Sequence, residues 1–174
     1  MRIYLIGYMG SGKSSIGKKV ATRLGYTFFD LDQVIEKDQN ASVSDIFNEK
    51  GEKIFRSLER LALHQTFSMN NVVISTGGGT PVFFDNMHLM NSNGLVIFLK
   101  ADADFLVSRL THKQNQRPLL ASLSPEEMKQ FVKEQVAARS PFYQKAAMHI
   151  EAKDLTPAAL EKQVRLWLEN KTIA

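Results

Sequence analysis

The stretch GYMGSGKS at residues 7–14 constrains this chain more than any other, because of what stands on either side of it. Before it lies the apolar run RIYLI, and after it comes SSIGKKVATRLG, in which Ile16, Val20 and Leu24 recur four apart. That order reads as strand, loop and helix. The spacing is G-x-x-x-x-G-K-[ST], a phosphate-binding loop. Gly7 and Gly12 permit backbone angles that side chains forbid, so successive N–H groups can turn inward around phosphate oxygens. The helix behind adds its positive end and its unpaired N–H groups. Lys13 supplies a mobile full charge for the β- and γ-phosphates, and the Ser14 hydroxyl is suited to Mg²⁺. A plain glycine-rich turn is the alternative, but motif and context agree on a nucleotide.

Strands are also expected at 26–32 (YTFFDLD), 71–76 (NVVIST), 94–100 (GLVIFLK) and 149–152 (HIEA), each beyond a helical stretch. Their apolar runs are continuous rather than alternating, as in strands covered on both faces. Helices are expected at 43–50, behind a Ser42 cap with Asp45 three residues on, and at 52–67 beyond a Gly51 break. Others are expected at 103–111, at 125–138, and at 157–169, where Thr156 caps and Pro157 takes the first turn. The alternation predicts an α/β fold, a parallel sheet flanked by helices. At 174 residues the chain is long enough for one good core and short for two, so a single domain is expected. The polar segment 112–124, HKQNQRPLLASLS, interrupts two helices; it reads as a surface linker or, beside a nucleotide, as a mobile lid.

No apolar stretch approaches a membrane span, the N-terminal run is too short for a signal-peptide core, and there is no cysteine. A soluble, cytoplasmic protein is expected. The four histidines are scattered, without metal-ligand spacing. The formal charge of +4 is spread, with no run of five like charges, so no nucleic-acid partner is expected and the excess suits anionic small molecules. Nothing marks a dimer seam, and a monomer is expected.

A phosphate loop alone does not separate a kinase from a nucleotide switch or a DNA-associated ATPase. In FFDLD, Asp30 and Asp32 are read as pointing the same way from a strand end, beside the phosphates. One carboxylate could hold a Mg²⁺-bound water and the other take a proton from a substrate hydroxyl; the plainer alternative is a solvated pair capping a helix at 33–38. Arg56 and Glu59 share one helix face, either as an exposed pair of little consequence or as an arginine held by its carboxylate to grip an anion. Gly77, Gly78 and Gly79 follow VVIST where a plain turn needs fewer glycines, which favours a ligand contact. Phe47 and Phe55 read as core or as pocket wall.

Together GYMGSGKSSIG, FFDLD, FRSLE, STGGG, RPLL and ARSPFY resemble the shikimate kinase family, in its order and over most of the chain. The resemblance implies a three-layer P-loop kinase fold on five parallel strands, with 33–60 as substrate-binding region and 112–124 as lid. It implies transfer of the ATP γ-phosphoryl group to the 3-hydroxyl of shikimate, in chorismate and aromatic amino acid biosynthesis. It places Gly10, Ser11, Gly12, Lys13, Ser14 and Ser15 along the ATP phosphates, and Asp32, Arg56, Gly78, Gly79 and Arg139 around shikimate. Lys13, Asp32 and Arg117 would be catalytic, with Arg117 reaching the nucleotide from the lid. Ser14, and Asp30 through water, would serve Mg²⁺. Arg109 resembles an arginine near the adenine, and Thr80-Pro81 stand where the family often has small apolar residues. A gluconate kinase-like enzyme is the alternative within kinases, and a nucleotide-binding switch or ATPase the alternative outside them.

Overall fold

Every strand pair is parallel, in a five-stranded sheet of order β2-β3-β1-β4-β5. The strands are β1 (Arg2–Ile6), β2 (Thr27–Asp30), β3 (Val72–Ser75), β4 (Leu95–Lys100) and β5 (Met148–Glu151). The structure, a computed structural model, describes residues 1–111 and 123–173. The expected lid therefore lies outside the described residues except for Leu123 and Ser124, and Arg117 lies outside them altogether.

The continuous apolar runs are continuous because both faces are covered. Tyr4 and Ile6 of β1 face one way, with Val72, Ile74, Val96 and Phe98, onto α2 (Leu31–Gln39), α3 (Val43–Gln65) and α4 (Asn86–Asn93). Ile3 and Leu5 face the other way, with Val73, Leu95, Ile97 and Leu99, onto α1 (Lys13–Leu24) and α7 (Pro157–Ile173). A third cluster, Leu106, Leu110, Met128 and Val132, joins α5 (Ala103–Thr111) to α6 (Pro125–Tyr143) and closes over Tyr8. The two layers of helices with the sheet between them are the three-layer architecture expected.

The caps behave as read. Ser42 and Asp45 form a reciprocal capping box, as do Ser124 and Glu127. Gly51 interrupts α3 with φ 80° and ψ 166°, a conformation that favours glycine, so the helix is two segments meeting at a kink. Two boundaries and one element depart most from expectation. The second strand stops at Asp30 and a helix starts at once, so Asp32 is helical rather than extended. The helix expected to end at 138 runs on to Tyr143, through Pro141, and carries Arg139 on it. The helix α4 was not expected, since NMHLMNSN has little apolar periodicity and only Met87, Met90 and Asn86 are buried.

Candidate active site

The phosphate loop leaves the carboxyl end of β1, between β3 and β4, where an open parallel sheet forms its crevice. Gly12 stands before α1 at φ 93° and supplies no side-chain cap, so the first-turn N–H groups of α1 are not capped by it. Lys13 is buried, and its Nζ donates to the Gly7 carbonyl at 2.8 Å and the Tyr8 carbonyl at 3.0 Å, folding the ammonium over the loop. The Ser11 hydroxyl is buried there with no hydrogen-bond partner, which is costly unless a ligand oxygen meets it. Ser15 is exposed on the first turn of α1. Arg109 lies over the Phe105 ring, 4.5 Å from its centroid, with Nη1 beside Gly12, 3.2 Å from where a Cβ would stand.

Register brings the next residues to this spot. Asp30 and Ser75 are paired at the carboxyl ends of β2 and β3. Ser14 Oγ donates to Asp30 Oδ2 at 2.6 Å and lies 3.1 Å from Ser75 Oγ. The other Asp30 oxygen caps α2, accepting from the backbone N–H of Asp32 at 3.1 Å and of Gln33 at 3.4 Å. This corrects the reading of two carboxylates aligned by strand alternation: Asp30 ends the strand by starting the helix, and Asp32 arrives through the first helical turn. Asp32 Oδ1 is buried without a partner. Burial pushes its carboxyl up to about 7, helped by the negative charges of Glu59, Asp30 and Glu36 and opposed by Lys13.

Arg56 and Glu59 are not an exposed pair. Their side chains are 10% and 1% exposed, and Arg56 Nη1 meets Glu59 Oε2 at 2.5 Å. The guanidinium is walled by Phe83, Phe55 and Phe47, whose centroids lie 4.3, 5.3 and 5.4 Å away. Phe55 thus belongs to the core and the pocket wall together. The glycine triplet explains itself against this arginine: a Cβ at Gly79 would fall on the Arg56 guanidinium, and one at Gly77 on Glu59 Oε1. A Cβ at Gly78 would stand 3.3 Å from Arg139 Nη1 and 3.4 Å from the Gly7 carbonyl of the phosphate loop. Arg139 also lies over the Tyr8 ring at 5.1 Å and donates to Gln135.

Asp32, Arg56, Gly78, Gly79 and Arg139 therefore converge at the mouth of the phosphate loop, from α2, α3, the loop after β3 and α6. Ser75, Tyr143 and Glu52, which were not singled out from the sequence, join them, as does Thr80, noted there only as a departure from the family pattern. Ser75 sits beside Ser14; Thr80 Oγ1 donates to Glu59 Oε1 at 2.7 Å; Tyr143 donates to the Gly78 carbonyl at 2.6 Å, and burial pushes its hydroxyl up to about 12. Glu52 accepts from Arg56 Nε and Nη2. The signals for Ser75 and Tyr143 were present, in STGGG and ARSPFY, but nothing local pointed to their partners.

A buried lysine in a glycine loop, at the carboxyl edge of a parallel sheet and opposite two arginines, defines a P-loop kinase acting on a small molecule. The chain belongs to the shikimate kinase family, whose model matches residues 9–169. It is 44% identical over 154 residues to a shikimate kinase of Parabacteroides distasonis, a match covering 88% of this chain and 89% of that one. It superposes on the crystal structure of shikimate kinase from Bacteroides thetaiotaomicron with a TM-score of 0.91, at 40% identity over 97% of this chain and 98% of that one. Against shikimate kinase from Acinetobacter baumannii in complex with shikimate the TM-score is 0.86, at 32% identity over 98% and 94%.

Proposed function

We propose that the protein transfers the γ-phosphoryl group of ATP to the 3-hydroxyl of shikimate, giving shikimate 3-phosphate and ADP, as one step of chorismate and aromatic amino acid biosynthesis. The observation that carries this reading is the convergence of Arg56, Arg139 and the unpartnered oxygen of Asp32 on one side of the phosphate loop. Two cations match a carboxylate, and a carboxyl oxygen without a partner matches a hydroxyl.

Each residue then has a task. The backbone N–H groups of Gly10, Ser11, Gly12, Ser14 and Ser15 cradle the ATP phosphates, with the Ser11 hydroxyl turned to one of their oxygens. Lys13 exchanges its two carbonyl partners for phosphate oxygens and follows the charge as it moves between them. Arg109 supports the nucleotide from beside Gly12. Arg56 and Arg139 pair with the substrate carboxylate, and the side-chain-free surface of Gly78 and Gly79 admits the ring. Asp32 accepts the proton of the attacking hydroxyl; a carboxyl held near 7 is matched to that work at neutral pH. Arg117, outside the described residues, is assigned by resemblance to the transferring phosphate, delivered by a lid at 112–124.

The donor set fits Mg²⁺. Ser14 Oγ lies between two further hard oxygens, Asp30 Oδ2 at 2.6 Å and Ser75 Oγ at 3.1 Å. So small a set of oxygens suits an ion that keeps several waters, with Ser14 as direct ligand and Asp30 acting through water. Bound there, it would neutralise phosphate charge. The reading includes one catalytic unit over 1–174, with 33–60 as its substrate-binding region, acting as a cytoplasmic monomer without nucleic-acid or membrane partners. Among the described residues, no helix is long and apolar enough to cross a membrane.

ADP release coupled to a spectroscopic readout, with shikimate, gluconate and nucleoside monophosphates compared side by side, tests the assignment. Shikimate should be turned over far faster than the others. Equal rates on shikimate and gluconate would overturn it, and nucleotide hydrolysis indifferent to all of them would favour a switch or ATPase.

A further inference from the structure

Arg56 faces two carboxylates at once, and they differ in kind. Nη1 turns inward to Glu59, which is buried and tied a second time to Thr80. Nε and Nη2, the fork that matches a planar carboxylate, converge on Oε1 of Glu52 at 3.1 and 2.9 Å. The Glu52 side chain is 55% exposed, so this partner reaches the cation from the solvent side. It follows the Gly51 kink directly, at the start of the second segment of α3, one turn before Arg56.

We propose that Glu52 is a placeholder: its carboxylate occupies the Arg56 fork in the free protein and yields it to the carboxylate of the phosphoryl acceptor. The proposal rests on the reading of Arg56 as the anchor for the substrate carboxylate. Glu59 takes only Nη1, so without Glu52 the Nε and Nη2 donors of a guanidinium set among three phenyl rings would lack a protein partner. Glu52 removes that cost and keeps the fork oriented until substrate arrives. Two carboxylates cannot share one fork without repulsion, so one must leave. Glu59 is held by burial and by the Thr80 hydroxyl, whereas Glu52, the exposed member of a half-buried pair, can depart into water. Displacement is therefore one-sided, and Glu52 acts as a positioning residue through Arg56. A neutral ligand has no charge with which to displace Glu52 and meets an arginine that is already paired.

The test compares Glu52→Gln and Glu52→Asp with the unaltered protein. Glutamine keeps the shape and loses the charge; aspartate keeps the charge but falls a methylene short of the fork. In both, KM for shikimate should fall, by about two- to fivefold if the solvent-side partner is released as cheaply as a surface ion pair, while kcat and KM for ATP stay put. The affinity for shikimate methyl ester, read as inhibition of shikimate phosphorylation, should not improve. An unchanged or raised KM for shikimate in Glu52→Gln overturns the placeholder, as does an equal gain for acid and ester. A fall in Glu52→Gln without one in Glu52→Asp overturns it too, because the effect would then belong to the charge and not to the contact. Absence of shikimate phosphorylation by the unaltered protein would instead defeat the functional reading itself.

Discussion

Replacing Asp32 by asparagine should stabilise the protein increasingly as the pH rises, although the residue belongs to the proposed catalytic set. The structure buries one carboxyl oxygen without a partner and surrounds the group with Glu59, Asp30 and Glu36, which lifts its pKa from 3.8 to about 7. Below 3.8 the folded and unfolded chains both hold the proton, and the stability owed to a neutral, buried carboxyl is fully present. Between 3.8 and about 7 the unfolded chain has released a proton that the folded chain keeps, so stability falls by about 1.4 kcal/mol per pH unit. Above about 7 the folded carboxyl ionises as well and the loss stops, at roughly 4 kcal/mol as a ceiling. Asparagine has no such proton. From pH 5 to pH 8 the stability difference between variant and parent should therefore grow by roughly 3 kcal/mol in favour of the variant. Urea unfolding without nucleotide or Mg²⁺, followed by fluorescence of Trp167, the only tryptophan, reads this directly. A difference that is flat across this range, or that shrinks toward alkaline pH, would refute the assignment of a raised pKa to Asp32.

Lys13→Ala removes two hydrogen bonds to loop carbonyls, so it should lower the melting temperature by a few degrees, about 1–2 kcal/mol, while turnover collapses; near-normal turnover would show that the charge is not used on phosphate. Gly79→Ala places a methyl on the Arg56 guanidinium and should raise KM for shikimate at least tenfold with KM for ATP unchanged, whereas equal effects on both would point to general misfolding. Arg117→Ala should lower turnover by roughly 10³ or more with little effect on ATP affinity. Amide exchange over 112–124 should slow only when nucleotide and shikimate are both bound, and unchanged exchange together with an active variant would make the segment a linker.

What was legible in the sequence was what is local. Strand, loop and first helix follow from an apolar run, a glycine spacing and a four-residue recurrence, all within 25 residues, and the capping boxes at Ser42 and Ser124 are set by side chains three apart. Asp32 was misread for an equally local reason. Period-two alternation holds only while the chain stays extended, and Asp30 ends the strand by giving its own carboxylate to the N–H groups of a new helix. Alternation was the stronger visual pattern, and the cap was the stronger interaction. Helix α6 passed its expected end for a long-range reason: Tyr143, on its last turn, is buried and bonded to the Gly78 carbonyl, a contact spanning 65 residues.

The substrate side of the site was legible in composition but not in consequence, because the same i, i+3 spacing describes a trivial surface pair and a buried one. What decides between them lies elsewhere in the chain. Gly77 and Gly79 leave no side chain where Glu59 and Arg56 must stand, and Thr80 takes the second oxygen of Glu59 from a distance of 21 residues. Thr80 itself is fully buried. A hydroxyl introduced into a fully buried position is destabilising unless it finds a partner. Here it donates to Glu59, and the Thr80 carbonyl accepts from the buried amide of Asn86 at 3.0 Å, on a helix the sequence did not announce. The Thr80 hydroxyl thus fixes the inner carboxylate of Arg56 and leaves the outer one, Glu52, as the partner able to give way.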